Sequence, residues 1–365
     1  MIIVVSLCII FWVYLFSSQS KKEPLFQSEL LGGNVSIIIA FRDEGENLIP
    51  LICALEDQLM IDKEKVQVIL INDHSHDHGV RIIENWKKTS QYNINCIDLL
   101  DKQGKKSALR IGVSEAIYEQ LLFTDADCIP NKYWVSQMAY LFNKQNTDLL
   151  IGSVWYKEST ELFIRLQALE FSVLQSITAY STGIDWPFMC NGANIMTSKQ
   201  IYNKYLTESN SERYISGDDV FYLDYLIRNK FRITYANSSE AMVETHAEME
   251  LRSFIQQRLR WSSKIKYYKN IKMILPSILF SLWSVSLIFT LCLLFWYPLW
   301  MVLICIGIKF IIDYIVVYTH YKKFDRQFLK FDYLTLALSY PFYVISIGIL
   351  SFFKTFTWKN RVAKA

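Results

Sequence analysis

Hydrophobic and polar positions follow two alternating patterns through the middle of the chain. Short, continuous apolar runs bounded by glycine or charged residues predict buried strands at 34–41, 66–73 and 93–100, and a further one around the run at 121–123. Segments with helical spacing separate these runs at 46–59, 79–88 and 104–119. Strands that alternate with helices of this length indicate βαβ units, so the pattern predicts an α/β domain with a parallel sheet.

The beginning of the chain carries a different pattern. Residues 1–16 are apolar and uncharged, and Lys21 and Lys22 follow them. A cleaved signal peptide has its positive charge before the apolar core, so this order predicts an uncleaved anchor at 1–17. Lysines after a span also predict that the following domain stays in the cytoplasm.

A second apolar region begins near residue 273. Its first part predicts two membrane spans at 273–295 and 298–318, because it is too long for one. The last apolar segment, 333–353, contains Pro341 and precedes a basic tail at 354–365. It is either a third span or a re-entrant hairpin bent at the proline, and we favour the hairpin because it keeps the basic tail in the cytoplasm.

Composition narrows the class of protein. Hydrophobic residues make up 52% of the 365 residues, which suits a membrane protein. The net charge of +3 supplies no strong basic field, so no nucleic acid partner is expected. The seven cysteines form no C-x-x-C pair, which predicts reduced cysteines in a cytosolic compartment.

Charged residues follow the predicted strands where a parallel sheet places its ligand site. Asp125 and Asp127 come just after the apolar run at 121–123, and one residue separates them. Two carboxylates in this position can hold Mg²⁺ or Mn²⁺ and leave other coordination positions for phosphate oxygens. An isolated pair of this kind is more often a solvated loop with a helix cap. The position past a strand end favours the metal.

Two further segments have both a structural and a functional interpretation. Asp218 and Asp219 begin a predicted helix, where carboxylates commonly cap the first turn. The segment QRLRW at 257–261 opens a basic, aromatic stretch that predicts a membrane-surface helix at 251–270. A surface helix does not specifically require Gln257, Arg260 and Trp261 together.

Taken in order, these segments resemble the motifs of a membrane-associated family 2 glycosyltransferase with the GT-A fold, over about residues 33–265. In the first half of the chain, LINDHSHDHG resembles the D-D-G-S-x-D loop, GKKSAL resembles G-K-x-x-A-L and DAD matches the metal motif. Further along, CNGAN resembles the segment lining the acceptor cleft, and GDD stands where the family often has E-D. The last segment, QRLRW, is a complete Q-x-x-R-W. Three positions depart from the pattern: Asp43 stands where asparagine is common, Asn72 replaces an aspartate and His74 replaces a glycine.

The resemblance implies a set of site residues. The nucleotide sugar would contact Phe41, Arg42, Glu44, Asp73, Lys105 and Asp125. The cation would be held by Asp127 and Asp125, with His246 completing its shell. Asp219 would be the catalytic base, with Asp218 and Arg260 beside it, and the acceptor would meet Asn191, Gly192, Gln257 and Trp261.

The resemblance also implies the reaction. It predicts an inverting hexosyltransferase that uses Mg²⁺ or Mn²⁺ and a nucleotide-diphosphate sugar, most often of UDP. The acceptor would be a lipid or glycan at the cytoplasmic face of a membrane, in polysaccharide or glycolipid synthesis for the cell envelope. A processive polysaccharide synthase and a nucleotidyltransferase of related fold are the alternatives. The predicted domains are an anchor at 1–17, a GT-A domain at 33–250, an interface helix at 251–270, a membrane region at 273–353 and the tail at 354–365.

Overall fold

The computed structural model describes residues 34–100, 103–209, 217–268, 270–353, 355–358 and 361–364. The predicted anchor at 1–17 lies outside these residues. The described residues form two units. The sheet unit contains those of Ser20–Trp155 and Met189–His246, and the helix unit contains those of Tyr156–Phe188 and Ala247–Ala365.

The elements are named here in chain order. The strands are β1 (Val35–Phe41), β2 (Val66–Asn72), β3 (Asn93–Asp98), β4 (Gln120–Asp125), β5 (Ile129–Pro130), β6 (Leu149–Ile151), β7 (Val154–Tyr156), β8 (Asn194–Ser198), β9 (Ile233–Tyr235), β10 (Val243–Thr245), β11 (Thr355–Trp358) and β12 (Arg361–Lys364). The α-helices are α1 (Gly45–Glu56), α2 (Gly79–Lys87), α3 (Lys105–Glu115), α4 (Trp134–Gln145), α5 (Leu162–Gly183), α6 (Lys199–Glu208), α7 (Asp218–Arg228), α8 (Leu251–Ser263), α9 (Ile271–Cys292), α10 (Leu299–Lys323) and α11 (Lys330–Phe353).

The sheet unit is built on seven strands in the order β3-β2-β1-β4-β8-β6-β9. The first four strands are parallel, β8 is antiparallel to both of its neighbours, and β6 and β9 are parallel. All seven residues of β2 are buried, as expected for a strand covered on both faces. The predicted α/β fold with a mostly parallel sheet is confirmed.

Helix α3 packs on this sheet through a glycine. A Cβ at Gly112 would lie 2.6 Å from the Cγ2 atom of Ile38, so only glycine allows the helix to approach β1 this closely. The helix ends at Glu115, four positions before the predicted end. It stops there because two buried side chains bind the amides of the second and third residues after it: Ile117 donates to Gln67 (2.9 Å) and Tyr118 donates to Ser36 (3.2 Å).

The helix unit contains α5, which the sequence patterns did not predict, together with α8 to α11. The predicted domain at 33–250 includes α5, whereas the structure groups α5 with the C-terminal helices. The predicted interface helix at 251–270 is α8, which ends at Ser263 and is followed by a 3₁₀ turn at Lys264–Tyr267.

Among the described residues, three helices are long and apolar enough to cross a membrane: Ile271–Phe295, Leu299–Lys323 and Lys330–Ser351. The first two agree with the predicted spans. In the first of these helices, Pro276 has no N–H to donate to the carbonyl of Lys272 one turn earlier. That carbonyl accepts a hydrogen bond from the Trp186 indole instead, at 2.7 Å.

The re-entrant hairpin predicted at Pro341 is wrong. Helix α11 is continuous from Lys330 to Phe353 and contains the proline. A proline removes one backbone donor and can kink a helix, but the apolar residues on both sides here continue the same helix.

The contacts of α11 nevertheless bring the chain back towards α8. Near its start, the Tyr333 hydroxyl donates to the carbonyl of Phe310, in the middle of α10, at 2.6 Å. Further along, the Tyr343 and Phe254 rings lie 5.7 Å apart, and Phe254 belongs to α8. Strand β11, after α11, also packs against α8. The tail therefore lies beside the helix that precedes the first span.

This packing predicts the membrane sidedness of the tail. In a cysteine-free background, single cysteines at Arg252 (α8) and Thr357 (β11) should react with a membrane-impermeant thiol reagent from the same face. A cysteine at Leu294, between α9 and α10, should react only from the opposite face. Labelling of Thr357→Cys from the Leu294 face alone would show instead that α11 crosses the membrane and separates the tail from α8.

Candidate active site

The loops after β1 and β2 are joined at one edge of the sheet. The amide of Asp43 donates to the Ser75 hydroxyl at 3.0 Å, and the amide of His76 donates to the Asp43 carboxylate at 2.7 Å. Parallel pairing of the two strands places their carboxyl ends side by side, which makes these bonds possible. Asp43 has a positive φ of 52°, where an asparagine or aspartate is tolerated better than most residues.

Asp77 fastens the same two loops, a role that the sequence patterns did not assign. Its carboxylate accepts from the amide of Gly45 at 2.6 Å and from the amide of Gly79 at 3.0 Å. These glycines begin α1 and α2, so a single carboxylate satisfies one free donor at the start of each helix. Its place as the last aspartate of the D-D-G-S-x-D-like loop is the signal that could have identified it.

The residues predicted to contact the nucleotide differ in how far their side chains are buried. The Phe41 ring is buried in the core, so only its backbone lies at the loop, where its carbonyl accepts from the amide of Asp73 at 2.9 Å. Asp73 is buried as well, and its carboxylate accepts from the amide of Gly104 at 3.0 Å. Arg42 and Glu44 lie in the loop between β1 and α1, and the Glu44 carboxylate accepts from the Asn47 side chain at 2.6 Å.

Lys105 brings the D-x-D and GDD segments together. Its ammonium lies 2.5 Å from the Asp125 carboxylate and 3.9 Å from that of Asp218. Burial alone would lower the pKa of Lys105, but the attraction of Asp125 and Asp218 outweighs it and raises the pKa above its usual range. Lys105 is therefore a fixed positive charge in the centre of the carboxylates.

The surroundings of Asp127 disfavour the ionised form of its carboxylate. Burial raises the pKa of Asp127 to about 6, and repulsion from Asp125 and Glu44 adds to the effect. A hydrogen bond from the Thr245 hydroxyl (3.1 Å) and the charge of Lys105 act in the opposite direction. A partly buried carboxylate whose ionised form is disfavoured fits a cation site, because a divalent ion would stabilise that form.

The predicted metal ligands come together only in part. Asp125 and Asp127 are electrostatic neighbours, and each offers the oxygen ligands that Mg²⁺ and Mn²⁺ prefer. His246 follows β10, which pairs antiparallel with β5, so the chain there runs back towards Asp127. Within the described residues, no three histidine, cysteine or acidic side chains converge on one point. The contribution of His246 stays a prediction.

The GDD turn and the CNGAN segment pack directly on each other. A Cβ at Gly192 would lie 3.3 Å from the Asp219 Cβ atom and 3.5 Å from an Asp218 carboxylate oxygen. The Asn191 side chain shapes this turn by accepting from the amide of Ala193 at 3.0 Å. The predicted acceptor segment and the predicted base therefore lie together.

The two aspartates at the start of α7 have different partners. The Asp219 carboxylate accepts from the amide of Val220 at 2.8 Å, at the beginning of the helix. The Asp218 carboxylate faces Lys105. Of the two aspartates, Asp219 is therefore the one whose carboxylate binds a backbone amide in the first turn of α7. The base assignment stays a prediction.

The Q-x-x-R-W residues lie on α8, in the helix unit. The side-chain amide of Gln257 donates to the Glu248 carboxylate at 3.0 Å. The Trp261 ring lies 5.8 Å from that of Phe171. Arg260 is in the last turn of α8 and is partly exposed.

The raised pKa of Asp127 predicts how cation affinity depends on pH. Below about pH 6 the carboxylate holds a proton that a cation must displace, so the Mn²⁺ affinity should fall about tenfold per pH unit. Above that pH the affinity should be constant. Calorimetric titration of Mn²⁺ at several pH values between about 5 and 8 measures this, with Asp127→Asn as the control that should lose the dependence. A constant affinity across the range would contradict the assignment.

The position of Lys105 predicts competition with the cation. Removing its charge in Lys105→Met should tighten Mn²⁺ binding in the absence of nucleotide by up to about tenfold, because the ammonium repels a second cation at Asp125. The neighbouring Lys106→Met is the matched control, since the Lys106 ammonium lies over the Phe221 ring. Weaker Mn²⁺ binding in Lys105→Met would mean that the lysine supports the metal site instead.

Part of the chain is similar in sequence to known glycosyltransferases. Residues 36–206 match the family model described as glycosyl transferase family 2. The chain is 27% identical over 163 residues to the poly-β-1,6-N-acetyl-D-glucosamine synthase of Staphylococcus aureus strain COL, covering 43% of this chain and 37% of the synthase. It is 24% identical over 172 residues to the same enzyme of Staphylococcus epidermidis, covering 45% and 40%. The alignments thus span less than half of these relatives.

A solved structure shares the fold over most of the chain. The mannosyltransferase PcManGT from Pyrobaculum calidifontis, in complex with GDP-Man and Mn²⁺, superimposes with a TM-score of 0.60 at 12% identity. The match covers 95% of this chain and 94% of that one. Residues 36–206 thus match glycosyl transferase family 2, within a chain that shares the fold of the solved mannosyltransferase.

Proposed function

We propose that the protein transfers a sugar from a nucleotide-diphosphate sugar, with UDP as the expected nucleotide, to a lipid or glycan acceptor at the cytoplasmic face of a membrane. The observation that carries this proposal is the cluster of Lys105, Asp125, Asp127 and Asp218 at the carboxyl edge of the sheet. The three apolar helices that follow support a membrane-associated acceptor.

The charges of the cluster suit a sugar diphosphate. Lys105 is a permanent cation and can pair with a phosphate once the donor arrives. The likeness to PcManGT, whose structure contains GDP-Man and Mn²⁺, supports a nucleotide sugar as donor. Asp73, whose carboxylate accepts from the Gly104 amide beside Lys105, would orient the nucleotide base.

Mg²⁺ or Mn²⁺ fits the carboxylates of Asp125 and Asp127. When bound, such an ion neutralises the charge that develops on the leaving diphosphate. The chain's own contribution is to hold Asp127 in a partly buried position, where the Thr245 hydroxyl donates to its carboxylate and fixes its orientation. A carboxylate fixed in this way needs little reorganisation during the reaction.

The transfer itself is a single displacement. An acceptor hydroxyl oxygen bonds to the anomeric carbon while the bond from that carbon to the diphosphate oxygen breaks, which inverts the configuration. The hydroxyl proton passes to a carboxylate, for which we propose Asp219. The first turn of α7 favours its ionised form, because the helix N-terminus carries partial positive charge. Packing of Gly192 against both aspartates supports an acceptor path along the CNGAN segment.

The Q-x-x-R-W residues complete the proposal. Arg260 would add a planar, permanently charged donor for the diphosphate, which a lysine cannot reproduce. Gln257 and Trp261 would orient a sugar of the acceptor, the first by hydrogen bonding and the second by stacking. Their orientation depends on contacts within the helix unit.

We favour transfer of a single sugar. A processive polysaccharide synthase is the second candidate, and the 27% identity to the poly-β-1,6-N-acetyl-D-glucosamine synthase supports it. A nucleotidyltransferase has no comparable support, because the matched family consists of glycosyl transferases.

The proposed function predicts a specific set of products. The purified full-length protein in lipid nanodiscs, supplied with Mn²⁺, a membrane lipid extract and one nucleotide sugar at a time, should release the nucleoside diphosphate with one donor class. Mass spectrometry should then find an acceptor heavier by one sugar. Products with many added sugars would establish the processive alternative, and no release with any donor would contradict the proposal.

The base assignment predicts different defects at two adjacent residues. Asp219→Asn should lower the turnover number by about 100-fold or more and leave donor binding intact, because it removes only the proton acceptor. Asp218→Asn should retain more turnover and mainly change donor affinity, because its partner is Lys105. The reverse result would make Asp218 the base. Normal turnover in both variants would exclude both.

A further inference from the structure

Arg258, the first of the two residues between Gln257 and Arg260 that the Q-x-x-R-W motif leaves open, is buried in an ion pair. Only 3% of its side chain is exposed, and 6% of that of its partner Glu170 on α5. Both its Nε atom (3.2 Å) and its Nη2 atom donate to the Glu170 carboxylate. Burying two charges costs several kcal/mol per ion, and apolar residues of similar size often serve stability as well or better. The pair therefore calls for a role besides stability.

The guanidinium contacts two members of the motif. Its central carbon lies 4.3 Å from the centre of the Trp261 ring, and 4.4 Å from that of Phe254 one turn earlier. Its Nη1 atom donates to the Gln257 side-chain carbonyl. The other end of that amide is bound to Glu248, so both ends of the Gln257 side chain are fixed. Arg258 thus sets the orientation of Gln257 and of the Trp261 ring.

Glu170 extends this arrangement to a third helix. Its second carboxylate oxygen accepts from the Tyr343 hydroxyl of α11 at 3.1 Å. One turn earlier on α5, the Gln167 side chain donates to the carbonyl of Glu248 (2.8 Å) and accepts from its amide (3.1 Å). Helix α5 therefore binds both Glu248, which precedes α8, and Arg258 in the middle of α8.

We propose that Arg258 and Glu170 are positioning residues for the transfer reaction, which hold Gln257 and Trp261 in one orientation and connect them through Tyr343 to α11. The inference rests on the proposed function for its kinetic consequence, whereas the positioning itself can be measured without turnover. Arginine suits the task because one planar group can bind a carboxylate through two nitrogens and stack on a ring at the same time.

The helix unit offers a matched control pair on the same helix. Arg165 of α5 binds Asp332 of α11 through two hydrogen bonds, of 2.8 and 3.0 Å, and Asp332 is almost fully buried. Arg165 also donates to the carbonyl of Thr160, which lies outside α8. Substitutions in this pair weaken a two-bond ion pair on the same helix without touching Gln257 or Trp261, although the Arg165 side chain is 26% exposed and that of Arg258 only 3%.

The experiment compares Arg258→Lys and Glu170→Gln with Arg165→Lys and Asp332→Asn in the full-length protein in nanodiscs. The first two variants should lower the turnover number by about 10- to 100-fold, as expected for a misplaced substrate contact, while the affinity for UDP with Mn²⁺ changes less than about twofold. The double variant Arg258→Lys/Glu170→Gln should be no worse than the poorer single variant. The control variants should keep the turnover number within about threefold.

A second readout follows Trp261 directly. The difference in fluorescence between each protein and its Trp261→Phe counterpart isolates this tryptophan, and acrylamide quenching reports its accessibility. Quenching should increase in Arg258→Lys and stay unchanged in Arg165→Lys. Unchanged quenching in Arg258→Lys, or equal kinetic losses in both pairs, would overturn the proposal and leave the ion pair a structural contact. Absence of transfer by the wild-type protein would overturn the proposed function alone, and the quenching result would still decide whether Arg258 positions Trp261.

Discussion

The ion pair between Lys105 and Asp125 is the interaction on which the candidate site depends. Lys105 begins the helix that follows the third strand, and Asp125 ends the fourth strand, so the pair forms only when the sheet is assembled. Pairing of Ala40 with Asp125 and of Phe41 with Asn72 brings all the acidic loops to one edge. Without a cation there, the mutual repulsion of Asp125, Asp127 and Asp218 would oppose this packing.

The helix unit also contains charged side chains close together, but there the opposite charges balance. Its central charges, Arg258 and Glu170, neutralise each other and are enclosed by the rings of Phe254 and Trp261 and by Tyr343. In the sheet unit a lysine faces several carboxylates, which leaves the cluster suited to further cations and phosphates. A charge cluster that is incompletely balanced suits ligand binding, whereas a balanced and enclosed one suits orientation of neighbouring side chains.

Much of the sheet unit could be predicted from the sequence because its signals are local. Continuous apolar runs marked β1, β2 and β4, and short motifs marked their carboxyl ends. Helix α5 gave no such signal, since most of its length is buried on several sides and its polar residues, such as Gln167 and Glu170, are buried too. The proline of α11 gave a misleading signal, because its effect on a helix depends on the residues packed around it.

Contacts between distant residues were beyond sequence patterns. The pairing of Arg258 with Glu170 joins positions 88 residues apart, and Asp77 acts on two helix starts whose proximity only the folded sheet creates. Asp218 and Asp219 make different contacts because their side chains point in different directions from one helical turn. Adjacent carboxylates look equivalent in a sequence, whereas the positions of Lys105 and of the Val220 amide distinguish them.

The most direct measurement of the central claim is calorimetric titration of UDP into the full-length protein, with Mn²⁺ and with a chelator, for the wild type and for Asp125→Asn. If the Lys105 and carboxylate cluster forms the donor site, UDP should bind with Mn²⁺, bind at least tenfold more weakly with the chelator, and lose the benefit of Mn²⁺ in Asp125→Asn. Equal UDP affinity under all of these conditions would contradict the account, because the donor would then bind independently of the cluster.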